Sequence, residues 1–581
     1  MVALVLVAIM CFAMLASCSG DDTSGDTSSG GTSSTGGTGS TSGSGGTSGS
    51  GGAPSGSGSS GTTGGPENPG EFVVPEDTGR AGLSIGSTPY DPPPAGAVLA
   101  EEISVIMGNN GMSIINPFLP AANNQDVYVA MTCIYDRLLD ITDDSVFMPE
   151  LAASFSSADS KTYSFTLRDD VYFHNGEKLT SSDVAWTVAQ AQAGIGSGAF
   201  DLWRPVESVN VIDELNFELI LTDVNVDFLF HLTRPMTSIV SEKAMRDDPE
   251  NGVMIGSGAF IVTEFQTNES AVLVRNDNWW NKNVPILTQR IKYVFVPEQP
   301  SRTIMLRNEE VQFCFAPAPE DVPAFLEDPS FLVYPSTMNN PQIFTFNLTD
   351  PLMADINFRK AVIHALDKEE ISIIAAGQWA YPDTESGHIW GLNTPYRNPN
   401  LEPHFYDPVL AKQYLDASSY AGQEVVLTTA IVTNIRAAEA IMSQLADIGI
   451  RMTVNSLDTA GFNSTAGYGN TVTQFVTQGV TISVMPSSAR ATFVPNGGHN
   501  RASYNNPEVT ALFDEAVRTL DENARRDIYY KIQQIVADEF LGTNVFWRIG
   551  TLVGHINCRG MVVRSGDNER HDMRTIYYIT G

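Results

Sequence analysis

Basic residues are scarce in this chain. Its 581 residues include 33 Lys and Arg against 67 Asp and Glu, a formal net charge of −34. Acidity of that size argues against nucleic-acid binding and against docking on anionic lipid by charge. No Lys or Arg precedes Arg80, so the basic n-region of a signal peptide is not among these residues. Cysteine is scarce too: beyond Cys18 there are only Cys133, Cys314 and Cys558. Their spacing fits no zinc pattern, and an odd count leaves at least one thiol free, so buried free cysteines are expected. The eight histidines (His174, His231, His364, His388, His404, His499, His555, His571) are scattered, with none paired at helical metal spacing. There is no His-Glu-x-x-His, no phosphate-cradling Gly-x-x-x-x-Gly-Lys and no nucleophile elbow in the folded part. No metal site, cofactor or catalytic residue is therefore expected.

What the amino terminus does have is an apolar run over residues 2–17, ending in Leu15-Ala16-Ser17-Cys18. The run has the length of a signal-peptide core and falls short of the roughly 18 residues of a spanning helix. Residues 19 to about 65 are nearly all Ser, Gly and Thr. Such a composition cannot bury apolar surface and forms a flexible coil with a reach of roughly 35–40 Å. Residues 66–99 are richer in Pro and also irregular, which places the start of the folded body near Glu101. The remainder is too long for one hydrophobic core and suits two or three domains.

The most informative stretch is Phe147 to Val184. Tyr163, Phe165 and Leu167 alternate with polar residues, which predicts a strand of period two. A short second strand, an Asn175-Gly176 turn and an N-capped helix beginning near Thr180 follow. Asp169 and Asp170 are neighbours on a strand end, so they point apart and suit a solvated turn better than acid–base work. His174 reads as a structural strand–turn residue.

This stretch resembles the signature of the family 5 extracellular solute-binding proteins, the peptide- and nickel-binding receptors of bacterial ABC importers. The resemblance continues over residues 101–555. Ile103–Met107 and Ile115-Asn116-Pro117 look like the opening strand and turn of the family, and Tyr135-Asp136-Arg137-Leu138-Leu139 resembles its Tyr-Asp-x-Leu helix. Gly256-Ser257-Gly258-Ala259-Phe260 and Arg275-Asn276-Asp277-Asn278-Trp279-Trp280 match further phrases, the two tryptophans being read as structural. Asp355 to Asp367 and Asp407 to Lys412 look like two of its helices. Val425–Val432, Ile435–Asp447 and Arg451–Val454 read as a β-α-β unit. Leu15 to Cys18 resembles a lipobox, with Cys18 as the lipidated residue.

The resemblance implies an α/β, periplasmic-binding-protein-like fold of the class II, cluster C type: two hinged lobes that close on a ligand, with an extra inserted domain. The boundaries expected are a signal peptide over 1–18 and a tether over 19–100. Domain I is expected over 101–130, 258–335 and 541–581, domain II over 131–257 and domain III over 336–540. The implied function is capture of a peptide-like or other small solute by an extracytoplasmic monomer. That monomer is anchored to the cell membrane through Cys18 and serves ABC permease subunits. A receptor without its own permease, or a hydrolase on the same scaffold, are the alternatives.

For the ligand, the family's position implies Asn109, Asn110 and Asn116 near the first strand, and Phe200 and Trp203 in the loop after the signature helix. In domain III it implies Trp390 as a stacking platform. In the family's peptide receptors a Trp-x-x-Asp phrase follows a domain III strand and pairs with the peptide's ammonium group. Here that strand is expected at Val480–Val484, and Met485 to Phe493 follows with neither Trp nor Asp. Ser487 and Arg490 stand there instead, and the guanidinium fork of Arg490 suits a carboxylate or phosphate. Neutral or anionic solutes are expected in preference to free-amine peptides.

Overall fold

The computed structural model describes residues 90–580 except 109–111, 113, 123, 143–145, 196, 385–389, 391–395, 431, 481–485 and 564–570. The expectations for Cys18, the tether up to residue 89, Asn109 and Asn110 lie outside these residues. Among the described residues no helix is long and apolar enough to cross a membrane.

The signature stretch folds as its pattern predicts. Thr162–Leu167 is a strand that buries Tyr163, Phe165 and Leu167. The chain then reverses at Gly176, whose φ of 84° is a left-handed value that a side chain resists. The helix Ser181–Ala193 follows Thr180, whose backbone N–H donates to the Asp183 carboxylate at 3.0 Å. His174 is held by backbone on both nitrogens: Gly256 N–H donates to Nδ1 at 3.2 Å, and Nε2 lies 3.1 Å from the Gly258 carbonyl. Burial pushes its pKa down to about 4. A neutral ring with its proton on Nε2 satisfies both contacts, which is the structural role read from the sequence.

Four antiparallel strands, in the order Ala152–Ser156, Thr162–Leu167, Asn216–Leu221, Val206–Val211, form a separate small sheet. Among the described residues the principal sheet has eleven strands, one of them, Ala380–Pro382, pairing with Gly542–His555 off the main path. At one end Met452–Ser456, Val425–Thr429 and Phe475–Gly479 lie side by side; at the other lie Phe313–Cys314, Glu102–Ile106, Arg290–Val294, Ser270–Arg275 and Phe260–Gln266. The two ends are joined by an antiparallel pair of long strands, Phe331–Phe346 and Gly542–His555. Their pairing runs regularly from Phe331↔His555 to Thr337↔Ile549, breaks, and resumes at Pro341↔Trp547. A break of that kind bends a ribbon locally.

Apolar burial follows the same division. One core runs from Ile103, Val105, Leu273, Ile291 and Tyr293 into Phe165, Phe217 and Leu219 of the small sheet. Another gathers Phe344, Phe346, Phe358, Val362, Leu427, Ile441 and Phe475. The β-α-β unit is present: Val425–Thr429 and Met452–Ser456 pair in parallel around the helix Val432–Asp447. Its helix packs through Ala437, Ile441 and Leu445, which share one face at helical spacing. Asp355 and Asp407 cap the helices Ile356–His364 and Pro408–Asp416. Cys133, Cys314 and Cys558 are free and buried.

A buried ion cluster joins the small sheet's domain to the first core. Asp136 Oδ2 accepts from Ser257 Oγ and from Trp280 Nε1, each at 3.0 Å, with Trp279 Nε1 at 3.3 Å. Arg137 Nε donates to Glu150 at 3.0 Å, and Arg574 stands between Glu150 and Asp572. Both tryptophans are thus structural, as read from the sequence. The phrase Tyr135 to Leu139 is not itself a helix: Gln125–Ile134 is, and the phrase leaves it to deliver Asp136 and Arg137 to the cluster. Two charged residues in succession find their partners better in this irregular segment than in a continued helix.

Candidate ligand cleft

The two long strands are shared by both ends of the principal sheet and so connect the two lobes. Around them, the sequence-predicted residues fall into three situations.

On the side of the first lobe, Asn116 caps its own turn: its side-chain oxygen accepts from Phe118 N–H at 2.9 Å. The short helix Gly198–Trp203 starts at Ser197, whose hydroxyl accepts from Phe200 N–H at 3.1 Å. Phe200 is half-buried. Trp203 is fully buried, its ring edge-on to Phe228 at 6.5 Å, and so lies in the core rather than over a pocket mouth. The same helix places the Leu202 carbonyl 2.9 Å from His231 Nδ1.

On the second lobe, Trp390 is also core rather than a free platform. It is sandwiched near Phe493 and Phe513, with ring centroids at 6.2 and 6.3 Å and tilts of 9° and 15°. A loop position suggested exposure, but Trp390 is buried among Phe493, Phe513 and Tyr529. The expected strand at Val480–Val484 lies outside the described residues after Val480; the strand observed is Phe475–Gly479. Ser487 sits in the turn Pro486–Ala489. Arg490 Nη1 stands 2.7 Å from Asp514 Oδ1, with the guanidinium side chain 41 % exposed. Its fork already has a carboxylate.

The third situation is contact between the inserted domain and the second lobe. Val226 N–H donates to the Val517 carbonyl at 2.9 Å. Arg518 Nε reaches Asp223 at 2.7 Å. Burial raises the Asp227 pKa above the ordinary carboxylate value, although Ser487 and Arg525 both favour its charged form. Asp227 Oδ2 has no hydrogen-bond partner. Of the predicted residues, then, Ser487 meets the opposite side, Arg490 stands near it, and Trp203 and Trp390 support from behind.

Sequence reasoning missed Asp227, Arg234 and Arg548. Arg234 is buried with its guanidinium 5.3 Å from the Phe230 ring. Arg548 is the lone charge in the apolar run Val545-Phe546-Trp547-Arg548-Ile549, a signal that a strand-by-strand search for odd charges would have found.

The family model for bacterial extracellular solute-binding proteins, family 5 (middle), matches residues 146–500. A nickel-binding periplasmic protein of Escherichia coli is 26 % identical over 325 residues, which is 54 % of this chain and 60 % of that protein. Heme-binding protein A of Haemophilus influenzae is 24 % identical over 450 residues, covering 70 % of this chain and 80 % of its own. Among solved structures, the ABC transporter substrate-binding protein CtaP of Listeria monocytogenes aligns with a TM-score of 0.75 at 21 % identity, over 83 % of this chain and 100 % of that one. With the family's signature, sheet and lobes all in place, the chain belongs to the bacterial extracellular solute-binding proteins of family 5.

Proposed function

We propose that this protein is the extracytoplasmic substrate-binding component of an ABC importer. It captures a small solute between its two lobes, closes on it, and releases it chemically unchanged to a membrane permease. The observation that carries this reading is the pair of long strands shared by both lobes, with its pairing broken between Thr337 and Pro341. A ligand that touches both lobes gains contacts only in the closed form, so it shifts the population toward closure. The names of the relatives support the class: one is named nickel-binding, one heme-binding, and one, from Brucella ovis, a putative ABC transporter peptide-binding protein.

In this reading the lobes are domain I (101–130, 258–335, 541–581) and domain III (336–540), with domain II (131–257) as the insertion. Cys18 carries the lipid, residues 19–100 are the tether, and the protein works as a monomer. Mass spectrometry of solute co-purified with a Cys18→Ala form tests the proposal. A single unmodified small molecule recovered in stoichiometric amount supports it. A recovered mixture of a substrate and its conversion product would contradict it.

A further inference from the structure

On the strand Gly542–His555, every side chain from Thr543 to Trp547 is buried. Arg548 comes next and is only half-buried, although Trp547 and Ile549 on either side are 1 % and 7 % exposed. Its backbone pairs with Ala380 on one edge. On the other edge runs the stretch where Thr337 to Pro341 leaves register. A residue flanked in this way by bonded neighbours keeps solvent contact only where a recess opens onto the face of the sheet.

The other deep arginines of the protein are all met. Arg359 donates to the carbonyls of Met353 and Glu539, and Arg302 to those of Val296, Pro297 and Ala316. Arg137 and Arg574 have carboxylates. Arg548 is different: among the described residues its guanidinium has no acid, carbonyl or ring in contact. Burial lowers its pKa, and no acid opposes that effect. A partly buried guanidinium with no protein acceptor gives up hydration and gains no ion pair in return, so its place in the long strand is not explained by stability.

We infer that Arg548 anchors an oxyanion of the bound solute, a carboxylate or a phosphate, on the floor of the cleft. Its planar fork donates two parallel N–H bonds to such a group. The inference rests on the receptor reading above and names the ligand class for that site. Because the crossing ribbon belongs to both lobes, the anchor is in place before closure, and the lobes then fold over the rest of the solute. The anionic preference read from the sequence is kept, but it moves from Arg490, which Asp514 already occupies.

Calorimetry on the full chain tests this with matched pairs: succinate and its diamide, glycerol phosphate and glycerol, dialanine and its C-terminal amide. The acid of at least one pair is expected to bind saturably, with its neutral partner about tenfold weaker or more. The pair that responds tells carboxylate from phosphate. Arg548→Gln is expected to erase that preference, and Arg548→Lys to keep part of it. Thermal unfolding controls for folding: without ligand, Arg548→Gln should melt at or above the parent, since it removes an unpaired charge. Equal binding of neutral partners, a preference that survives Arg548→Gln, or a sharp loss of melting temperature would each overturn the inference. If none of the acids binds, the anchor fails, while the receptor reading stands or falls on the co-purified solute.

Discussion

Val226 donates its backbone N–H to the carbonyl of Val517 at 2.9 Å, tying the inserted domain to the second lobe. Asp223–Arg518 and Asp227–Ser487 flank that bond. Together they are contacts that an opening of the lobes along this seam would break. Val226→Pro removes the donor and is expected to cost the closed form about 0.5–1.5 kcal/mol. Scattering should then report a larger radius of gyration for the variant without solute. The Asp223–Arg518 pair is solvent-exposed, so Arg518→Ala is expected to leave the denaturant midpoint unchanged. A collapse in stability of the Arg518→Ala form would show that these contacts carry more than closure.

Glu150 gives the protein a dependence on pH. Burial pushes its carboxyl up to about 7 despite Arg137, with Asp136 and Asp140 repelling it further and Arg574 opposing them. A carboxyl raised above its ordinary 4.5 contributes stability that is full below that value and is lost as pH rises through about 7. The denaturant midpoint is therefore expected to drop between about pH 5 and pH 8, and Glu150→Gln should flatten the drop. Identical slopes for the two proteins would exclude Glu150 as its source.

The Gly256-Ser257-Gly258 turn packs against the end of the helix Gln125–Ile134. A methyl group at Gly258 would lie 2.6 Å from the Cys133 carbonyl oxygen, a clash with backbone that cannot swing aside. Gly258→Ala is expected to destabilise by about 1–3 kcal/mol in denaturant unfolding. A change within about 0.5 kcal/mol would mean that the helix end yields.

Cys18→Ala is expected to move the protein from the detergent phase to the aqueous phase. The thioether needs sulfur, and acyl chains hold at about 0.8 kcal/mol per buried methylene. If parent and variant partition alike, Cys18 is not the anchor.

Much of the fold was legible because its signals are local. Asp355, Asp407 and Thr180 sit where helices start, and Tyr163, Phe165 and Leu167 alternate over a strand. The site was less legible because its relationships are not local. Nothing near Asp227 in sequence names Ser487 as its partner, and nothing near Arg490 names Asp514. Trp390 was expected as a stacking platform, and only its burial among Phe493, Phe513 and Tyr529 decides otherwise. Arg548 was visible as a charge in an apolar strand, but its lack of a partner is a property of the folded sheet.

Closure of two lobes on an unaltered solute can be followed by small-angle scattering of the protein, first stripped of solute and then titrated with the solute recovered from it. A saturable fall in the radius of gyration at one solute per chain is expected, with the solute recovered intact. A radius that does not change at saturation, or steady turnover of the solute during the titration, would contradict this expectation.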